Sequence, residues 1–281
     1  MTTELQTTEV PGALEPWEEE LYTQAQAAAA QEASTGGGEF FSLKGGRLML
    51  DGRQLADNQM AVLVLDALLV NAYYSTPYDP DALQKPDCYA FGRDETTLAP
   101  PAAVKAPQCA TCAACPFNQF GSLVDAAGNS RRGKACSNTR RLGLIPGGTL
   151  EPGTGRFTPY LTVDEIMTGR LVYLKVPPTS VGAFSNYTKQ LAGAMRRPPR
   201  AVYTKIEVQP DPRHQIKIVF TALGPLQVPG PLWEAIKTRA KEVEAVIGFG
   251  FQASGGDADG AEGKEARGGT TKSSGAKKRK Y

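Results

Sequence analysis

The chain has 281 residues, of which 41% are hydrophobic, 8% aromatic and 21% charged, enough apolar material to bury a core. Its longest apolar run, Met60 to Val70, is 11 residues long and contains Asp66, well short of the roughly 18 uncharged residues of a membrane span. The N-terminus carries Glu4, Glu9 and Glu15 where an export signal needs Lys or Arg followed by an apolar stretch, so the expected location is the cytoplasm, with no membrane partner.

The formal net charge of +2 conceals an asymmetry. Residues 1–39 hold eight Glu and no Lys or Arg, and residues 252–281 hold four acids and seven bases. Residues 40–251 therefore carry 24 bases against 17 acids, a net +7. A basic body with an acidic arm is the charge plan of a polyanion binder that keeps a competitor on its own chain; plain solubility is the other reading.

In chain order, residues 1–39 read as an acidic arm with a short helix over 18–31, where Ala and Gln favour it, ended by Gly36-Gly37-Gly38. From Phe40 the pattern changes to short β-like runs at 40–50, 60–74, 140–145, 170–176, 201–208 and 215–220. Pro177-Pro178, with Thr179 or Ser180 as N-cap, opens a helix over 181–194 that places Phe184, Tyr187 and Leu191 at helical spacing, and Pro198-Pro199 closes it. A last helix spans about 231–247, with Leu232, Ile236, Val243 and Ile247 on one stripe. The Gly- and Lys-rich segment 252–281 has little to bury and reads as a disordered tail. The predicted fold is mostly β with two to three helices. A five- to six-stranded barrel like the oligonucleotide/oligosaccharide-binding (OB) fold fits the order, with one domain over 40–251 and an inserted zinc loop at about 86–141.

All five cysteines, Cys88, Cys109, Cys112, Cys115 and Cys136, fall between positions 88 and 136. In a reducing compartment such clustering argues for metal before disulfide, and a thiolate quartet suits tetrahedral zinc. Cys112-Ala-Ala-Cys115-Pro116 makes a knuckle in which two sulfurs face one ion, and Cys136 offers a third ligand. Cys88 and Cys109 compete for the fourth place. Cys88 is favoured because it ties down the long connection to Cys136, whereas Cys109 would crowd three ligands into seven residues. An iron–sulfur cluster is a second reading, although Pro116 follows the third cysteine of the run and no fourth cysteine comes three residues on. Free thiols are the third. Four thiolates leave no open position for water, so the zinc expected here is structural.

Arg131, Arg132, Lys134, Arg140 and Arg141 place five positive charges in eleven residues around Cys136, a candidate phosphate-tracking patch. Tyr173 with Lys175, and Tyr203 with Lys205, share strand faces by two-residue alternation, with Val202, Ile206 and Val208 on the opposite face. Aromatic plus cation on an open strand face is how single strands are stacked and held; a core role for each tyrosine is the plainer reading. Phe117 and Phe120, flanking the zinc turn, read as core of the inserted loop.

Enzymatic chemistry finds little support. The single histidine, His214, lies in a turn between two predicted strands, and no Gly-rich segment has phosphate-loop spacing. Asp79, Asp81 and Asp87 sit among prolines as ordinary turn residues. A zinc-stabilised structural or transcription-related module without strand binding is the alternative function class.

The pattern Cys88, Cys112-x-x-Cys115-Pro116-x-Asn118-x-x-Gly121-Ser122, Gly133-Lys134-Ala135-Cys136 and Arg140-Arg141-Leu142 resembles a family of uncharacterised phage and prophage proteins. Val176-Pro177-Pro178-Thr179-Ser180, Phe184-x-x-Tyr187 and Val202-Tyr203-Thr204-Lys205-Ile206 are similar to the same family, so that the resemblance covers about residues 40–222. It implies a zinc-bearing, OB-like single-stranded-DNA-binding protein of phage replication or recombination, acting in the host cytoplasm and analogous to the T4-type helix-destabilising protein. It implies Cys88, Cys112, Cys115 and Cys136 as the metal ligands, and single-stranded DNA, with RNA as the other candidate, as partner beside phage replication or recombination proteins. Cys109 is additional to the pattern. The tail ends in Lys277-Lys278-Arg279-Lys280 where such proteins end acidic, so recruitment through an acidic tail does not carry over.

Overall fold

The computed structural model describes residues 40–76, 84–125, 127–227 and 230–251, together with Leu21 and Gln24. Leu21 and Gln24 have helical backbone, as expected for 18–31. The rest of the acidic arm, Asp79, Asp81 and the tail 252–281 lie outside the described residues.

Six strands make one antiparallel sheet: β1 (Gln59–Tyr73), β2 (Cys88–Gly92), β3 (Ser137–Pro146), β4 (Val172–Val176), β5 (Val202–Asp211) and β6 (Gln215–Pro225). The spatial order is β4-β3-β1-β5-β6, with β2 added to β1. Setting β2 aside, β1, β3 and β4 lie side by side, and β5 returns by a long connection to the far side of β1, which is Greek-key order.

β1 is long and apolar almost throughout, so both its faces are buried. A bulge lies between Val64 and Asp66, where the register with β3 shifts. The extra residue changes the phase of the alternation. Val62, Val64 and Ala67 therefore pack into one core and Leu63, Leu65 and Leu68 into the other. The bulge also bends β1, whose first residues pair β5 while its last pair β2. At the bulge the Asp66 carboxylate accepts from the Ala67 N–H at 2.8 Å and pairs with Arg93.

Helix α1 (Val163–Thr168) starts at a capping box, Thr162 with Glu165. Helix α2 (Pro178–Gln190) packs Phe184 and Tyr187 into the first core with Val172, Leu174 and Ile206. Its N-cap is Pro177 rather than Thr179 or Ser180. Ser180 is drawn inward instead, because its hydroxyl accepts from the Ile218 N–H of β6 at 3.0 Å. Helix α3 (Pro231–Val246) covers the opposite face of the sheet with Ile236, Val243 and Ile247, in a second core shared with Tyr173 and Tyr203. The approach is close: a Cβ on Gly143 of β3 would lie 2.4 Å from Val243 Cγ1, so only glycine fits there.

Five predicted strand runs correspond to sheet strands. The sixth, 40–50, does not, because Gly45 and Gly46 turn the chain at φ of 65° and 75°, leaving bridges from Phe40 to Tyr173 and from Ser42 to Met49 and a small ribbon at Met49–Leu50. β2 is a strand that run-by-run reading missed. Among the described residues the outer strands β4 and β6 do not pair, so the sheet is open and the expected barrel is not closed. No helix among them is long and apolar enough to cross a membrane.

Candidate metal centre and nucleic-acid interface

The β1–β3 connection carries all five cysteines to one place. Cys88 opens β2 opposite Tyr73. The Cys112 N–H donates to the Leu98 carbonyl at 2.8 Å, and the Cys136 N–H to the Phe117 carbonyl at 2.8 Å, which brings the two ends of the loop together. Between them Pro116 sets the first position of a single 3₁₀ turn, Pro116–Asn118. Asn118 Nδ2 donates to the Cys112 carbonyl at 2.8 Å, and the Ser122 hydroxyl donates to the carbonyls of Phe117 at 2.9 Å and Gln119 at 2.6 Å. Asn118 and Ser122, singled out by the sequence pattern, are thus the ties that shape this loop.

All five thiols line a cavity of about 20 Å³, with Asn71, Tyr73 and Asn118 among its walls. That is room for one water-sized sphere. Cys88, Cys112, Cys115 and Cys136 are buried and Cys109 is half-exposed. Burial, then the neighbouring Cys112, Cys115 and Cys88, push the Cys136 thiol up to about 12. Burial raises Cys112 as well, opposed by a hydrogen bond from Asn71, and burial followed by Cys115 raises Cys109. Crowded acids that burial keeps protonated become thiolates readily only if a cation takes the place of the protons. The donor set fits a soft divalent ion such as zinc. Among the described residues no three His, Cys, Asp or Glu side chains are drawn in closely enough to grip an ion as they stand.

The residues expected to contact nucleic acid fall into two groups. Arg131, Arg132 and Lys134 lie together on the cysteine loop. Arg131 pairs with Asp125 at 2.6 Å, Arg132 is exposed, and Lys134 Nζ sits 3.3 Å from Asn118 Oδ1 and 5.3 Å from the centre of the Phe120 ring. Arg140 is half-buried, its guanidinium held below its ordinary value by burial, and it donates to the Thr139 carbonyl at 3.2 Å.

The second group is enclosed, and the expected strand-face site is corrected accordingly. Tyr173, Tyr203 and Arg141 are 4%, 4% and 3% exposed. The alternation reading was right about which side chains share a face, but α3 and the segment after it cover that face. Tyr173 packs on Phe249, Tyr203 donates its phenol to the Tyr160 carbonyl at 2.7 Å, and Arg141 lies among the rings of Phe40, Phe91 and Phe249. Burial raises both phenols above their ordinary value, further disfavouring ionisation. None of the three can reach a base or a phosphate in this arrangement. Lys175 is half-buried on the same face as Tyr173, and Lys205 is spent on Glu207 at 3.0 Å. His214 is exposed in the β5–β6 turn, where its backbone N–H donates to Asp211 at 2.9 Å.

Phe120 departs from expectation in the other direction. Read from sequence as loop core, it is 80% exposed, whereas Phe117 stacks on Tyr73 with ring centres 4.4 Å apart. The sequence offered only the glycine beside it, and Gly121 takes a φ of +90°, which glycine adopts without strain. Compared with known proteins, the chain matches no family model, no curated protein and no solved structure.

Proposed function

We propose that this chain binds single-stranded DNA without sequence choice, has no enzymatic activity, and holds one structural zinc ion through Cys88, Cys112, Cys115 and Cys136. The observation that carries the reading is the convergence of five cysteines, the outermost 48 positions apart, on one small cavity in the connection that also bears Arg131, Arg132 and Lys134. The burial of those four thiols, against a half-exposed Cys109, supports the choice of quartet. The all-cysteine donor set around one small cavity suits a single soft ion. When bound, zinc would offset two of the four thiolate charges and cross-link the loop to β2, with no coordination position left for chemistry.

The Greek-key order supports an OB-like fold, a partly open five-stranded barrel in which the connection between the first two strands is one of the oligonucleotide-binding loops. Here Arg131, Arg132 and Lys134 lie in the connection between β2 and β3, together with every cysteine but Cys88, which opens β2. The resemblance to phage and prophage proteins ties the reading to replication or recombination. The enclosure of Tyr173, Tyr203 and Arg141 favours the second reading, a zinc-stabilised interaction module that binds no strand.

Fluorescence anisotropy with labelled oligo(dT), a matched duplex and an RNA of equal length separates the two. Binding to oligo(dT) well above duplex, weakening as salt rises, is the expected result. Binding to none of the three overturns the proposal in favour of the interaction module, and equal or duplex-preferring binding overturns the preference for single strands.

A further inference from the structure

A strand of nucleic acid needs an aromatic surface that solvent can reach, on which successive bases stack. The sheet face around Tyr173 and Tyr203 is closed by α3 and Phe249, as described above. Among the described residues, Phe120 is the one Phe, Tyr or Trp side chain that is exposed. A ring left 80% exposed contributes little to folding, yet its backbone is firmly held. Gln119 Nε2 donates to the carbonyls of Ala113 at 3.0 Å and Cys115 at 3.3 Å, and the Gly121 N–H donates to the Gly133 carbonyl at 2.8 Å. The ring therefore projects from a loop pinned on both sides of it, which spares the ordering cost of binding.

The charge beside it is equally placed. Lys134 lies over the ring and is tied through Asn118 to the Cys112 carbonyl, so the ammonium, the ring and the cysteine turn form one unit. Arg132 is exposed two residues before Lys134. An aromatic face with adjoining cations is the chemistry that takes an unpaired base and its phosphates. It is indifferent to base identity, because every base presents a π-face.

We infer that Phe120 is the base-stacking platform, with Lys134 and Arg132 as the phosphate contacts, so that a single strand crosses the cysteine loop and not the sheet. This rests on the proposed strand binding and locates it.

The test is salt-dependent anisotropy with fluorescein-labelled oligo(dT) on the full chain, comparing wild type, Phe120→Ala, Phe120→Trp and Lys134→Gln, with metal content and Tm recorded for each. Phe120→Ala is expected to weaken binding by about 5- to 150-fold while leaving the salt slope, Tm and metal content unchanged. Lys134→Gln is expected to lower the slope by about 0.7. Phe120→Trp keeps affinity, and its added indole fluorescence is quenched by oligo(dT). Wild-type affinity in a folded Phe120→Ala protein overturns the inference while strand binding itself stands. If Phe120→Ala is destabilised, Phe120→Trp decides, and an indole signal that oligo(dT) does not change overturns it. Altered self-association of Phe120→Ala in sedimentation velocity, with oligo(dT) binding intact, makes the ring a protein contact and also overturns it. A wild-type protein that binds no strand removes the proposed function before any variant is compared.

Discussion

Arg141 Nη1 donates to the carbonyl oxygen of Phe249 at 2.7 Å, and the Arg141 guanidinium carbon lies 4.0 Å from the centre of the Phe249 ring. The same Nη1 donates to the Ile247 carbonyl at 3.0 Å, so a buried cation caps the end of α3 and holds the following segment against the sheet. A charge at a helix C-terminus is favoured by the helix dipole, and the aromatic rings around it accept its positive face.

Arg141→Ala is therefore expected to act on stability. It removes charged hydrogen bonds to two carbonyls and leaves a hole among Phe40, Phe91 and Phe249, at a cost of about 2–4 kcal/mol. A lower Tm with an unchanged salt slope of strand binding bears this out. A normal Tm with a lower slope would mean that the side chain contacts phosphate.

Tyr203 separates in the same way. Tyr203→Phe loses only the hydrogen bond to the Tyr160 carbonyl, about 1 kcal/mol, whereas Tyr203→Ala also empties a core position and costs about 3–5 kcal/mol. Chemical denaturation of both variants measures the difference. A stable Tyr203→Ala protein with weakened oligo(dT) binding contradicts the core assignment.

Zinc retention should follow burial of the thiol. Cys88→Ser, Cys112→Ser, Cys115→Ser and Cys136→Ser each lose the metal and lower Tm, while Cys109→Ser retains about one zinc per chain. Elemental analysis after dialysis reads this directly, and chelation of the wild type should reproduce the lowered Tm. Retention by Cys88→Ser together with loss by Cys109→Ser makes Cys109 the ligand.

Acid should weaken β5 around Glu207. Hydrogen bonds first from Gln209 at 2.7 Å and then from Lys205 hold the Glu207 carboxyl below its ordinary value. A lowered carboxyl stabilises the fold above its unfolded value of about 4.3, and that contribution is lost as pH falls through the lower folded value. Tm should therefore fall more steeply below about pH 4.3 in wild type than in Glu207→Gln, which has no charge to lose. Parallel acid limbs for the two proteins would show that the carboxylate adds nothing.

Much of the fold was legible because strand and helix periodicity is local. The apolar alternation in β5 and the stripe of Ile236, Val243 and Ile247 in α3 need only a few neighbouring residues to declare themselves, and both pack as their periods require. The gathering of the cysteines was legible for a related reason. Cys112 and Cys115 are close enough in sequence to share one turn, and all five thiols line one cavity.

Exposure was decided elsewhere. Alternation placed Tyr173 beside Lys175 on one face, but which face remains open to water depends on α3, whose first residue lies 58 positions after Tyr173 in the chain. The bulge in β1 is equally invisible in composition, and it switches which of its leucines meet α3. Phe120 and Phe117 are chemically identical and three residues apart, yet one stacks on Tyr73 and the other projects into solvent. A residue's own chemistry determined what it could contact in this protein; what stands over it, contributed by segments distant in sequence, decided what it does contact.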